Sequence, residues 1–235
     1  MISDGHGARV QRMFDRIARR YRLMNTLMTA GQDRRWRRFV VTRAALPPDG
    51  RLLDLATGTG DIAREALRAL PQLRVTGADF STGMLQTGRA AADGADLYWV
   101  AADALQLPFV DECFDAVTSG YLVRNVLDIP RTLREQLRVL RPGGRIIILE
   151  SSPPPASLLR PLIELHLRLV IPLLGRLVVG REGAAAYRYL PHTTQAFHSP
   201  QELAQLMRAA GLREVGWRSF MFGTMTVHEG RKAPG

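Results

Sequence analysis

The stretch RLLDLATGTGDIA, residues 51 to 63, sets Asp54, Gly58 and Gly60 in an Asp-x-x-x-Gly-x-Gly spacing at the end of an apolar run. Glycines in such a loop let bare backbone approach a ligand where a side chain would collide with it. The spacing Gly58-x-Gly60-x-x-Ala63 also matches the G-x-G-x-x-G/A fingerprint of nucleotide-binding folds, which accept more than one nucleoside. Three later stretches narrow the choice. VTGADFS ends an apolar run at Asp79 and Phe80. A carboxylate about twenty residues after the loop accepts hydrogen bonds from ribose hydroxyls. VAADALQLPF puts Asp103 and Ala104 at the tip of the next run, where an acid can accept from an adenine amino group. LRPGGRIIILE joins a helix end to a buried strand through Pro142-Gly143-Gly144, a junction that methyl-transfer folds use and hydride-transfer folds do not need. In this order the four features point to S-adenosylmethionine (SAM). Asp54 is placed near its methionine end. Met84, one turn into the following helix, is placed against the adenine.

These residues need elements that bring strand ends together. Val10, Phe14, Ile17, Tyr21 and Met24 recur at helical spacing over 9–24, and a second helix runs from Asp33 to about Ala45 with Trp36, Phe39 and Val40 inward. From residue 51 the pattern alternates. Strands are predicted over 51–56, 74–79, 96–101, 114–119 and 144–150, and helices over 61–70, 82–92 and 128–140. Strands separated by helices mean a parallel, doubly wound sheet. A helix near 200–210 then leads to REVGWRSF and TMTVHEGR, two nearby alternating runs that read as an antiparallel pair. The expected fold is α/β: a Rossmann-like class I SAM-dependent methyltransferase with a mostly parallel seven-stranded sheet ending in an antiparallel pair. One domain is expected, with a helical cap (1–46), a SAM-binding core (47–150), a helical insertion or substrate lid (151–199) and a C-terminal helix and strands (200–235).

The insertion opens on SSPPP and continues as SLLRPLIELHLRLVIPLLGRLVV. Arg160, Glu164 and Arg168 form one polar stripe at i, i+4, i+8 on an otherwise apolar helix, which Pro172 interrupts. Such a helix packs on the core or a second copy, walls a long apolar substrate, or rests on lipid. The formal net charge is +10, almost all of it arginine, and Arg9 to Arg43 carries eleven arginines against Asp15 and Asp33. A basic arm of this kind suits an anionic membrane surface or nucleic acid. The first residues contain no apolar leader segment, and no stretch reads as a spanning helix. Cys113 is the only cysteine, and the five histidines lack metal-ligand spacing. A cytoplasmic protein without a metal is expected, in contact with the inner membrane face if the basic arm meets lipid.

The segment FDRIARRYRLMNTLMTAGQDRRWRRF (14–39) resembles the N-terminal signature of the menaquinone/ubiquinone biosynthesis C-methyltransferases, through Phe14, Ala18, Tyr21, Asn25, Met28, Gly31, Arg34 and Trp36. ADALQLPFVDECFDAVT, RNVLDIPRTLREQLRVLRPGGRIIILE and YRYLPHT (187–193) are similar to the same family in the same order, so the resemblance spans nearly the whole chain. It implies methyl transfer from SAM to a ring carbon of a prenylated hydroquinone, such as a demethylmenaquinol. It also implies Thr59, Asp79, Asp103, Ala104 and Gly120 as cofactor residues. The chain departs from the family at Arg22 (usually Asp), Asp33 (usually His) and Gly120 (usually Ser). In SGYLVRN, Tyr121 and Leu122 reshape the loop that faces cofactor and acceptor.

Ring methylation needs an ionised hydroxyl on the acceptor. Arg124 is assigned to the oxyanion, Asn125 to orienting the hydroxyl and His192 to proton removal. Tyr21, Tyr121, Tyr187 and Tyr189 are the acceptor-side candidates. A homodimer is compatible with the apolar insertion. Rival readings are a family-derived enzyme of specialised metabolism acting on another apolar or aromatic molecule, an RNA methyltransferase, and a non-catalytic SAM-binding protein. No N/D-P-P-Y-like segment or stacking module supports nucleic acid as a partner.

Overall fold

The computed structural model describes residues 3–91, 96–180 and 197–235. Helices α1 (Ser3–Met28) and α2 (Asp33–Ala44) precede β1 (Arg51–Leu55), α3 (Asp61–Ala69), β2 (Arg74–Asp79), α4 (Thr82–Ala90), β3 (Leu97–Ala101), β4 (Phe114–Gly120), α5 (Ile129–Val139) and β5 (Leu140–Ser151). The insertion forms α6 (Arg160–Leu165), a π-helical turn (His166–Val170) and α7 (Ile171–Val179). Helix α8 (Pro200–Ala209) and strands β6 (Arg213–Phe220) and β7 (Met225–Arg231) follow.

The seven strands lie in the order β3-β2-β1-β4-β5-β7-β6. Strands β1 to β5 pair in parallel, and β7 runs antiparallel between β5 and β6. The order reverses between β1 and β4, so the loops after these two strands diverge and leave a crevice at their carboxyl ends. The expected alternation is present, with two differences. β5 begins at Leu140 rather than 144: Leu140 pairs with Phe114 and Arg145 with Ala116, so the Pro-Gly-Gly segment is a shift of register within the strand. In the insertion the helix is not broken at Pro172: the backbone stays helical from α6 through the π-helical turn into α7, whose second residue is Pro172. The irregularity falls just before it, in the π-helical turn.

Alternate residues of the buried strands feed two apolar layers. Leu53, Leu55, Val117, Ile146 and Ile148 pack under α5 and α8 against Leu133, Leu203 and Met207. Leu52, Val75, Ala116, Ile147 and Leu149 face Trp36 and Val40 of α2 and Ala63 and Ala66 of α3. A third cluster joins Ile17 and Met24 of α1 to Met84 of α4 and Ile171 of α7. One carboxylate fixes α1 over the crevice. Asp15 accepts hydrogen bonds from the Ser81 hydroxyl at 2.6 Å and the Gly83 amide at 3.0 Å, at the start of α4.

The two loop glycines are required for different reasons. Gly58 has φ +57° and room for a Cβ, whose nearest neighbour would be Tyr21 at 3.8 Å. Gly60 has φ +81°, and its Cβ would meet Trp99 at 2.7 Å and Arg64 at 2.9 Å. Arg64 is buried there, donating to the carbonyls of Thr59 and of Gly88, the latter at 2.6 Å. Gly60→Ala should therefore destabilise the fold more than Gly58→Ala. The left-handed conformation alone costs ~1–2 kcal/mol, and steric overlap adds to that only at Gly60. Thermal denaturation should show the larger Tm drop for Gly60→Ala, and equal drops would refute the packing account.

Candidate active site

A cavity of about 350 Å³ fills the crevice between β1 and β4. Gly58, Asp79, Phe80, Met84, Asp103, Ala104 and Gly120 border it, so residues from four separate sequence segments meet at one place. Asp79 ends β2. One of its oxygens accepts the Gly58 amide at 2.7 Å and the other the Ser81 amide at 2.8 Å. A carboxylate offers about four acceptor sites, more than its amide donors Gly58, Ser81 and Phe80 occupy, so acceptor capacity remains for a diol hydroxyl. Burial pushes the Asp79 carboxyl up to about 6, against the opposing pull of its amide donors. Asp103 accepts the Leu105 amide at 2.9 Å, which holds the turn after β3 against the cavity. Met84 is buried and Phe80 is half exposed, and both border the cavity.

Asp54, Thr59 and Gly60 do not border this cavity. Asp54 is buried beneath the loop, accepting from Thr57 Oγ1 at 2.6 Å, Thr118 Oγ1 at 2.9 Å and the Ala63 amide at 3.3 Å. Burial raises it to about 6. Thr59 turns its hydroxyl to Asp61 at 3.2 Å. These residues shape the loop, and Gly58 and Asp79 present it. Sequence reasoning also missed the first turns of α1, where Gly7, Ala8, Gln11 and Phe14 roof the cavity. An amphipathic pattern says that a face is buried and not what it covers.

A second cavity of about 100 Å³ lies beside the first, and Tyr21 and Tyr121 border both. Burial raises the pKa of each phenol. Tyr121 holds a left-handed backbone at φ +59°. Asn125 borders the first cavity and donates to the Tyr121 carbonyl at 2.7 Å. Arg124 borders the second. Its guanidinium stacks 5.1 Å from the Tyr121 ring centre, donates to Ser151 Oγ at 2.5 Å and pairs with Glu150 at 3.5 Å. Glu150 is fully buried; desolvation raises its pKa and Arg124 opposes that rise. Nothing in the pattern LES marked Glu150, since it closes an apolar strand. Tyr187, Tyr189 and His192 lie outside the described residues.

Of the family departures, Arg22 pairs with Asp61 at 3.2 Å, and Asp33 pairs with Arg37 at 2.9 Å. Arg37 also reaches Asp61 at 3.5 Å, so the exchanged residues sit in one charge network behind the loop.

The profile of the ubiE/COQ5 methyltransferase family matches residues 3–232. The chain belongs to this family. It is 49% identical over 232 residues to the ubiquinone/menaquinone biosynthesis C-methyltransferase UbiE of Desulfotalea psychrophila, covering 99% of this chain and 93% of that one. It is 44% identical to the demethylmenaquinone methyltransferase of Thermus thermophilus, covering 93% and 99%. In structure it is similar to the [4+2]-cyclase SpnF, with a TM-score of 0.71 at 19% identity over 96% of each chain. It is also similar to a SAM-dependent methyltransferase of Thermotoga maritima, with a TM-score of 0.60 at 23% identity over 94% and 99%. These two likenesses concern the fold. The ubiE/COQ5 member described here is a SAM-dependent methyltransferase, built on the expected class I architecture.

The cavity passes a test of fit for SAM on its own geometry. Gly58 exposes backbone at a positive φ, Asp79 has acceptor capacity left, and Met84 and Phe80 supply apolar walls. If Asp79 holds the ribose diol, SAM should bind best while its carboxylate is charged. Calorimetric titration should show affinity falling as the pH drops below about 6. Asp79→Asn should bind at least tenfold more weakly at neutral pH, since a hydrogen bond to a charged group is worth about 1.5–3 kcal/mol, and should lose that pH dependence. Unchanged affinity in Asp79→Asn would remove the residue from the site.

Proposed function

We propose that this enzyme transfers a methyl group from SAM to a ring carbon of a prenylated hydroquinone, converting a demethylmenaquinol to a menaquinol. The observation that carries the reading is Arg124, a buried cation at a small cavity that shares its wall with the cofactor crevice. The names of the relatives support the substrate class. SAM supplies an electrophilic methyl group on sulfur. The chain must hold it at Gly58, Asp79 and Asp103 and make the acceptor carbon nucleophilic. A phenol of pKa ~10 is about a thousandth ionised at pH 7. A fixed positive charge beside the hydroxyl favours the phenolate, and Arg124 never loses its charge. Glu150 offsets part of that charge and fixes the guanidinium in place. Asn125 orients the hydroxyl.

The insertion supports an apolar tail. Its inner residues Leu167, Ile171, Leu174 and Val178 pack on α1. Its outer residues Leu158, Leu162, Leu165, Leu169, Leu173 and Leu177 remain exposed. Arg160 and Arg168 flank them, both paired with Glu164. Among the described residues no helix is long and apolar enough to cross a membrane. We propose that the outer face rests on an anionic lipid surface and receives the isoprenoid tail there, leaving the ring to enter beneath the insertion.

Incubation with SAM and a demethylmenaquinol should yield the ring-methylated product by mass spectrometry. Arg124→Lys, which keeps a cation and loses the planar fork, should lower kcat by about tenfold or more, with SAM affinity unchanged; full turnover would reject the phenolate role. Polar substitutions at Leu162 and Leu169 should raise KM for the prenylated acceptor far more than for a tail-less analogue. Equal losses on both acceptors would mean that these leucines serve only packing.

A further inference from the structure

His166 lies in the apolar insertion, where its sequence context marks it as filler. Two observations set it apart. Its Nε2 is buried and has no hydrogen-bond partner among the described residues. Buried polar atoms are nearly always paired, so an unpaired one calls for a ligand or another stated reason. It also opens the π-helical turn, an irregularity that recurs at functional sites. His166 borders the second cavity together with Arg124, Ser151, Tyr21 and Asn25.

We propose that the second cavity seats the reacting ring of the acceptor and that His166 Nε2 takes the proton of its hydroxyl. The inference rests on the reading above, that the acceptor is phenolic. Imidazole is the side chain whose charge ordinarily changes between pH 5 and 8, which suits it to this transfer. The O–H bond breaks with its electron pair left on oxygen, and an N–H bond forms on His166. That pair passes through the ring to the adjacent carbon, which forms the new C–CH3 bond while sulfur keeps the pair of the broken S–CH3 bond. The hydrogen on that carbon leaves as a proton and restores the aromatic ring. The imidazolium returns its proton to the product oxygen, so one proton is released per methyl transferred. Arg124 holds the oxyanion through the step.

Of the titratable and charged groups on the elements packed around His166, Tyr21 of α1 and Tyr121 and Arg124 after β4 border the cavity with it, and Glu150 of β5 stands behind Arg124. Its own helical segment adds Glu164 and Arg168. Burial raises both phenols, so neither competes for the proton at neutral pH. Glu150 is engaged by Arg124 and by the Ser151 amide at 2.8 Å.

The test uses the whole enzyme with His166→Gln and His166→Phe. Calorimetry with SAM checks that each variant retains its fold and cofactor affinity. With SAM saturating at every pH, so that the Asp79 ionisation does not enter, the native kcat/KM for the quinol should fall on the acid side through a single ionisation. His166→Gln should lower kcat by about a hundredfold, the lower range for a positioned acid or base, and should flatten that acid limb. Acceptors with more acidic hydroxyls should recover part of the lost rate. A second readout needs no SAM. 2-Naphthol is a photoacid, and bound to the native enzyme it should emit as naphtholate; bound to His166→Phe it should emit as the neutral naphthol. Native rates and an intact acid limb in both variants would overturn the proposal. So would the same naphthol emission from both proteins, failure of the native enzyme to bind the probe, or loss of the acid limb in His192→Gln alone. If the native enzyme methylates no quinol, the proposed function falls, and the emission test still decides whether His166 is a proton acceptor.

Discussion

The Asp54 carboxylate, buried at the end of β1, is the contact on which the site's geometry depends. It gathers Thr57 from the loop, Thr118 from β4 and the Ala63 amide from α3 onto its two oxygens. That ties together the two strands between which the sheet reverses. It also sets the path of the loop that carries Gly58 to Asp79. Burial opposes its ionisation, and three donors are needed to satisfy it. The arrangement is costly and specific: few loop conformations place two hydroxyls and an amide around one buried carboxyl. From below, Arg64 and Trp99 occupy the space that a side chain at residue 60 would take. The glycine loop is thus held from inside the protein, and its outer side is left free for a ligand.

Around this fixed loop lie two cavities with a common wall. Tyr21 comes from the N-terminal helix and Tyr121 from the loop after β4, more than ninety residues apart in sequence, yet they border the same two spaces. Arg124 reaches the smaller cavity only because Glu150 and the Tyr121 ring hold it there. A lone buried guanidinium would be expensive, and a paired one is a fixed cation at the wall of the smaller cavity. The Asp15 contact with Ser81 and Gly83 keeps α1 over both spaces.

The likeness to a [4+2]-cyclase at a TM-score of 0.71 shows how little the fold says about the reaction. The sheet order delivers a crevice and a set of strand ends. What lies above them comes from the cap, whose helix α1 borders both cavities, and from the insertion, which borders the smaller one.

Much of the fold was legible in the sequence because its signals are local. The period of apolar residues marks strands and helices, and the strand–helix alternation implies parallel pairing. Gly58, Asp79 and Asp103 border the crevice because strand-end positions in this topology face it. Local signals could not separate the residues that border the crevice from those buried beneath the loop. Asp54 and Gly60 carry the motif, yet they point into the protein, and only the packing of Thr118, Arg64 and Trp99 around them determines that. Glu150 and His166 stood in apolar runs where periodicity reads every residue as packing. Their roles arise from partners brought close by the sheet and the cap, or, for His166 Nε2, from the lack of one among the described residues. Periodicity records which side of an element is buried; what each buried atom meets depends on long-range contacts that exist only once the chain has folded.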